Sequence, residues 1–136
     1  MIQVFYGKKG SGKTKALIAS ATEYAKATRG DVVFLNDSEK LIYEVPHQIR
    51  YINIATYPID SDDRLLGFIS GLLAGNYDLH RIYVDRLTYI TQKKHDDLQT
   101  LFESLQKLGK ENDVEFVLSL SGEDKDAPAY VKEYIQ

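Results

Sequence analysis

Short apolar segments alternate with helical patterns along the whole chain. Five segments are expected to be strands, and most are continuous apolar stretches: 2–6, 31–35, 49–55, 80–85 and 114–122. The spacing of apolar residues predicts helices over 13–30, 60–76 and 93–112, with a short terminal helix over 126–135. Strands that are apolar on both faces are typical of a parallel sheet covered on both sides. We therefore expect an α/β fold, a three-layer sandwich with a mainly parallel five-stranded sheet.

Length and composition fit one domain spanning residues 1–136. The chain has 136 residues, of which 43% are hydrophobic, an ordinary share for a compact domain. Its 17 basic and 20 acidic residues give a formal charge of -3, so nucleic acid is not indicated as a partner. Cysteine is absent, which excludes disulfides and thiolate metal sites. With no visible secretion signal, this composition predicts a cytoplasmic location.

The most apolar run of the chain is "LLGFISGLLAG", over residues 65–75. Spanning a bilayer takes about 20 apolar residues, so this run is too short. We expect no membrane span and a helix that packs on the sheet.

A stretch rich in glycine and lysine joins the first predicted strand to the first helix. The pattern G-x-x-x-x-G-K-S/T of a phosphate-binding loop is matched by Gly7, Gly10, Gly12, Lys13 and Thr14. Glycines let backbone N–H groups turn inward around a polyphosphate, and the next helix points its positive end there. We expect Lys13 to reach the β- and γ-phosphates and Thr14 to bind Mg²⁺. The predicted nucleotide-binding residues are Gly7, Lys9, Gly10, Ser11, Gly12, Lys13, Thr14 and Lys15.

Such sites have a second element, an aspartate at the end of an apolar strand that holds Mg²⁺ through water. The segment "RIYVD" supplies this residue as Asp85. The predicted metal-binding residues are therefore Thr14 and Asp85.

With the motifs GKKGSGKT and RIYVD, the chain resembles a small P-loop NTPase of the RecA-like branch over almost its whole length. The resemblance implies a P-loop nucleotidase core that binds ATP and Mg²⁺. It places an acidic residue that orients the attacking water after the second strand, where Glu39 is a nearer match than Asp37. It places a polar γ-phosphate sensor at the end of the fifth strand, where Ser119 and Ser121 are candidates. The implied catalytic residues are Lys13, Glu39 and Asp85.

One position departs from the pattern of many relatives. A glutamate often follows the metal-binding aspartate, and here the residue is Arg86. This departure favours ATP hydrolysis that is slow or stimulated by a partner. Arg86 could act within its own chain, although a side chain next to Asp85 in a strand would point to the other face of the sheet. We therefore expect a second subunit, identical or not, to supply an arginine.

Two other functions remain open: a nucleotide-dependent switch or assembly subunit with little hydrolysis, and a nucleoside or small-molecule kinase. A GTPase is disfavoured, because "DRLT" replaces D-x-x-G and "KKHD" lacks the asparagine of N-K-x-D. Nucleoside monophosphate kinases usually bind phosphates with arginines of a lid late in the chain. No arginine follows Arg86, so this class of kinase is also disfavoured.

Overall fold

The structure is a computed structural model that describes residues 1–93, 97–123 and 127–135. Its five strands form one sheet with the order β1-β5-β4-β2-β3, and every pairing is parallel. The predicted α/β fold with a five-stranded parallel sheet is confirmed. The elements are β1 (Ile2–Gly7), α1 (Lys13–Ala27), β2 (Asp31–Asn36), β3 (Ile49–Asn53), α2 (Asp62–Gly75), β4 (Leu79–Val84), α3 (Leu87–Thr91), α4 (Gln99–Asn112), β5 (Glu115–Ser121) and α5 (Ala129–Lys132).

Several element boundaries differ from the sequence prediction. Strand β3 ends at Asn53, whose side chain accepts a hydrogen bond from the amide of Ala55 and begins a 3-10 turn. Helix α3 was not predicted, because five residues between left-handed residues Arg86 and Gln92 are too few to show a helical period. Helix α4 begins at Gln99 rather than at 93, and 94–96 lie outside the described residues. The terminal helix is also shorter than predicted, and position 126 lies outside the described residues.

Helices cover both faces of the sheet, and alternate residues of each strand point to opposite faces. Along β2, Val32 and Phe34 pack with Leu17 of α1, whereas Val33 and Leu35 belong to the cluster on the other face. Burial on both faces explains why the strands are continuous apolar runs. The cluster that contains Val33 and Leu35 also includes Leu65 and Ile69 of α2 and Leu101 and Leu105 of α4.

The strand order determines which loops meet. Strand β5 lies between β1 and β4. Because all strands are parallel, their carboxyl ends lie at one edge of the sheet. The loop after β1, the end of β5 and the residues after β4 are therefore neighbours at that edge.

Helix α2 contains the most apolar run of the chain. It buries Leu65, Ile69 and Leu73, while Gly67 and Gly71 lie on its exposed side. No helix in the described part of the chain combines the length and the apolar composition that a membrane span requires.

Replacing both Gly67 and Gly71 by alanine is expected to raise the free energy of unfolding by about 1–2 kcal/mol. Glycine within a helix costs about 0.5–1 kcal/mol relative to alanine, and a Cβ at either position would meet no atom within 4 Å. Gly109 of α4 is the opposite case, because its Cβ would lie 2.9 Å from the carbonyl oxygen of Val114. Gly109→Ala should therefore destabilise the fold. Urea unfolding followed by circular dichroism measures the free energy of unfolding of both variants. A Gly67→Ala and Gly71→Ala double variant no more stable than wild type would contradict the expected stabilisation.

Candidate functional site

The loop between β1 and α1 depends on glycine for its backbone path. Gly10 and Gly12 have φ angles of 81° and 90°, in the left-handed region that glycine adopts at little cost. A Cβ at either position would meet no atom within 4 Å, so glycine is required by conformation rather than by space. Gly12 is also the N-cap of α1, and no side chain caps that helix. The amides of the first turn of α1 thus lack a side-chain acceptor at the end of this loop.

Lys13, the first residue of α1, places its ammonium group against the loop. Its Nζ donates to the carbonyl oxygens of Gly7 at 2.9 Å and Lys8 at 2.7 Å. Burial lowers the pKa of Lys13, and the charge of Asp85 partly opposes this effect. The ammonium group is therefore held by neutral carbonyl oxygens, which phosphate oxygens could replace.

Asp85 directly follows β4 and is fully buried. Its Oδ2 accepts hydrogen bonds from Thr14 Oγ1 and Asn36 Nδ2, both at 2.8 Å, and its Oδ1 accepts from Ser119 Oγ at 2.5 Å. Three donors compensate a buried carboxylate for the loss of water. The contacts also bring together the start of α1 and the ends of β2 and β5. Asp85 is thus the point at which three distant parts of the sequence meet.

The two serines predicted at the end of β5 have different surroundings. Ser119 is buried; its hydroxyl donates to Asp85 and accepts from the backbone amide of Arg86 at 2.7 Å. Because a serine has a single O–H donor, Ser119 is committed to orienting Asp85. Ser121 is partly exposed and pairs in register with Gly7 of β1.

Two adjoining cavities open at this edge of the sheet. The first, of about 350 Å³, is lined by residues 9, 10 and 12 of the loop, residues 13–15 of α1, and Asp85, Arg86, Tyr89, Ser119 and Ser121. The second, of about 390 Å³, is lined by Thr14, Asn36, Asp37, Ser38, Lys40, Leu41, Asp85 and Arg86. Thr14, Asp85 and Arg86 line both, so the cavities meet at these three residues.

Six of the eight predicted nucleotide-binding residues line the first cavity, and Gly7 and Ser11 do not. Gly7 instead contacts other residues of the loop and the residue after β5. Its carbonyl oxygen accepts from Lys13 Nζ and from the amide of Gly122, and a Cβ at Gly7 would lie 2.9 Å from Ser11 Oγ. Its role is therefore to let the loop fold closely on itself.

The acidic loop after β2 approaches the second cavity through Asp37. Glu39 is exposed and lines neither cavity, whereas Asp37 lines the second cavity with Asp85. The hydroxyl of Tyr51 donates to the carbonyl oxygen of Ser38 and fixes this loop on β3. Burial and the charges of Asp85, Asp37 and Glu39 raise the pKa of Tyr51 to about 12, as expected for a phenol among carboxylates.

Three residues of the site differ from the sequence prediction, since Asn36 and Tyr89 were not predicted and Arg86 was expected on the other face of the sheet. Asn36 has a detectable signal, because it is a polar residue that ends an apolar strand in the same way as Asp85 ends "RIYVD". The expectation that Arg86 points to the other face is wrong. Strand β4 ends at Val84, and Arg86 has a left-handed conformation that brings its side chain to both cavities.

Comparisons with known proteins do not assign the chain to a family. No protein-family model matches it, and no curated protein is significantly similar to it. Its function must therefore be inferred from the residues and contacts of this site.

Proposed function

We propose that this chain binds ATP with Mg²⁺ in the first cavity and hydrolyses it slowly or under stimulation by a partner. The observation that supports this most is the contact between Thr14 Oγ1 and Asp85 Oδ2, 2.8 Å apart and 71 residues apart in sequence. It joins the glycine-rich loop to the aspartate expected of a P-loop site. Ser121, a sensor candidate at the end of β5, also lines the first cavity, in agreement with the resemblance to RecA-like P-loop NTPases.

The charges of the first cavity favour a polyphosphate. Among the residues that the structure describes, Lys9, Lys13, Lys15 and Arg86 line it, against the one carboxylate of Asp85. An excess of positive charge in a concave site attracts anions. The uncapped start of α1 adds backbone N–H groups and the positive end of its dipole.

The residues present also fit Mg²⁺, provided that phosphate is bound too. Thr14 supplies a hydroxyl oxygen and Asp85 a carboxylate, the hard oxygen ligands that Mg²⁺ prefers. Within the described part of the chain, no group of three or more His, Cys, Asp or Glu side chains could hold a metal. Mg²⁺ needs about six oxygen ligands, so phosphate and water must supply the remainder. When bound, the ion neutralises charge on the phosphate oxygens.

Hydrolysis would require a water molecule next to the terminal phosphate. Its oxygen forms a bond to the γ-phosphorus, the bond to the β–γ bridging oxygen breaks, and ADP, inorganic phosphate and a proton are released. We propose Glu39 as the residue that orients this water, as the resemblance implies; because Glu39 is exposed and lines neither cavity, it would have to move toward the phosphate when nucleotide binds. Glu39→Gln should still bind nucleotide but release less phosphate, and an unchanged rate would exclude Glu39 from this role.

The second cavity supports phosphoryl transfer to a small acceptor as a second candidate function. It adjoins the first cavity at Thr14, Asp85 and Arg86, and its polar lining includes Asp37 and Ser38. An acceptor hydroxyl there would take the place of the attacking water. Measuring ADP and free phosphate with and without nucleosides distinguishes the two functions, because a kinase forms ADP without an equal amount of free phosphate.

The proposed function is tested first by titration calorimetry of the wild-type protein with MgATP and MgGTP. We expect saturable binding of one MgATP per chain and weaker binding of MgGTP, because the sequence lacks a guanine-recognition motif. A rate of phosphate release per protein molecule that rises with protein concentration would support stimulation by a second subunit. Absence of binding at millimolar nucleotide would overturn the proposal.

A further inference from the structure

Arg86 has an uncommon backbone conformation beside the site. Its φ and ψ angles are 61° and 47°, in the left-handed region that residues other than glycine rarely adopt. The conformation is fixed by the amide of Arg86, which donates to Ser119 Oγ, while Ser119 is itself bonded to Asp85. Strained backbone that surrounding contacts hold in place is concentrated at functional sites. Here the strain turns the Arg86 side chain to the junction of the two cavities.

The guanidinium group is positioned by two neighbours but remains incompletely bonded. Its Cζ lies 4.2 Å from the centre of the Tyr89 ring, and its Nε lies 3.2 Å from Asp37 Oδ1. This ion pair lacks hydrogen-bond geometry, so the buried Nε has no hydrogen-bond partner among the described residues. A guanidinium group has five N–H donors, and a buried donor left unpaired is unfavourable. Arg86 therefore retains the capacity to bind another anion.

An ordinary surface ion pair accounts for these observations less well. The side chains of Arg86 and Asp37 are 41% and 29% exposed, and pairs as exposed as this stabilise a fold only weakly. Such a pair does not require a left-handed arginine or a buried N–H group without a partner. Both features are explained if the position of the guanidinium group is determined by a ligand.

We infer that Arg86 binds the terminal phosphate of the nucleoside triphosphate from within the same chain, and that Asp37 holds it when this phosphate is absent. The inference rests on the proposed function. Lys13 and loop residues 9, 10 and 12 line the first cavity only, whereas Arg86, Thr14 and Asp85 lie where that cavity opens into the second. The end of a polyphosphate chain that begins at the loop would reach this junction. Arg86 thus supplies from within the chain a positive charge that would otherwise have to come from a second subunit.

The inference predicts a preference for triphosphate that depends on Arg86. Calorimetric titrations should use the wild-type protein and Arg86→Asn with two ligands, a non-hydrolysable ATP analogue and ADP, each with Mg²⁺. Asparagine tolerates the left-handed conformation, so this variant removes the charge without adding backbone strain. We expect Arg86→Asn to bind the triphosphate about tenfold more weakly and to bind ADP within about threefold of wild type. The matched control is Arg64→Ala, which removes an exposed arginine that pairs with Asp60 and lines neither cavity.

Asp37→Asn tests the proposed competition for Arg86. It should tighten triphosphate binding by about two- to fivefold, and the gain should disappear in the double variant with Arg86→Asn. The inference would be overturned if Arg86→Asn lost the same affinity for triphosphate and for ADP, or lost affinity for neither. The proposed function would still stand in that case, provided that nucleotide binding by the wild-type protein requires Lys13. A wild-type protein that binds no nucleotide would overturn both.

Discussion

Lys13→Ala is expected to weaken MgATP binding by about 30- to 1,000-fold, a loss of about 2–4 kcal/mol. The Lys13 ammonium group lies against the loop, where it donates to the carbonyl oxygens of Gly7 and Lys8. It is the cation best placed to exchange these contacts for two phosphate groups. Titration calorimetry with the variant and the wild-type protein measures the difference.

Lys8→Ala is the matched control for this experiment. The Lys8 side chain is 71% exposed, and its Nζ lies 3.5 Å from a carboxylate oxygen of Glu123. Lys8 is also absent from the lining of the first cavity. We expect Lys8→Ala to change MgATP affinity by less than about threefold. Equal affinities for wild type and Lys13→Ala would contradict the assignment of the loop to phosphate binding.

Mg²⁺ is expected to raise the affinity for nucleotide by about 10- to 100-fold, and Asp85→Asn is expected to abolish most of this gain. The Asp85 carboxylate is proposed to hold the water molecules bound to Mg²⁺. In EDTA, where no Mg²⁺ is bound, the variant should therefore bind nucleotide within about threefold of wild type. Because Asp85 accepts three hydrogen bonds, thermal unfolding must first show that the variant is folded. Titrations in Mg²⁺ and in EDTA then separate the two contributions.

Ser119→Ala is the control for Asp85→Asn. It removes one donor to Asp85 and leaves the carboxylate in place, so most of the Mg²⁺ dependence should remain. If Asp85→Asn lowers affinity by the same factor in Mg²⁺ and in EDTA, Asp85 has a structural role and the metal assignment fails.

The strands, the loop and Asp85 could be predicted because their signals are local. A strand buried on both faces is a continuous apolar run, and "DVVFL" needs no knowledge of its neighbours. The loop is likewise specified within eight residues, since Gly10 and Gly12 adopt backbone angles that favour glycine. Only the α/β fold and the parallel sheet are confirmed, and nucleotide binding remains a prediction.

The partners of Asp85 could not be predicted, because they depend on the order of the strands. Ser119, Asn36 and Thr14 are 34, 49 and 71 residues away from Asp85 in the sequence. The sequence shows polar residues at or directly after the ends of β2, β4 and β5 but does not show which strands are adjacent. The strand order places β5 next to β4, which brings Ser119 beside Asp85.

Arg86 was misplaced for a different reason. The alternation rule for strands applies only as far as the strand continues, and β4 ends at Val84. A left-handed arginine has no local sequence signal, since its conformation depends on a hydrogen bond to Ser119. The acidic loop after β2 is irregular in the same sense, so the sequence could not determine whether Asp37 or Glu39 would face the site.

A crystal structure with a non-hydrolysable ATP analogue and Mg²⁺ would show whether the loop and Asp85 together bind a magnesium nucleotide. If this assignment is right, the phosphates lie in the first cavity with Lys13 Nζ bonded to β- and γ-phosphate oxygens, and Mg²⁺ lies about 2.1 Å from Thr14 Oγ1 with water between the ion and Asp85. A nucleotide bound elsewhere, or Thr14 still donating to Asp85 with no metal between the loop and β4, would contradict it.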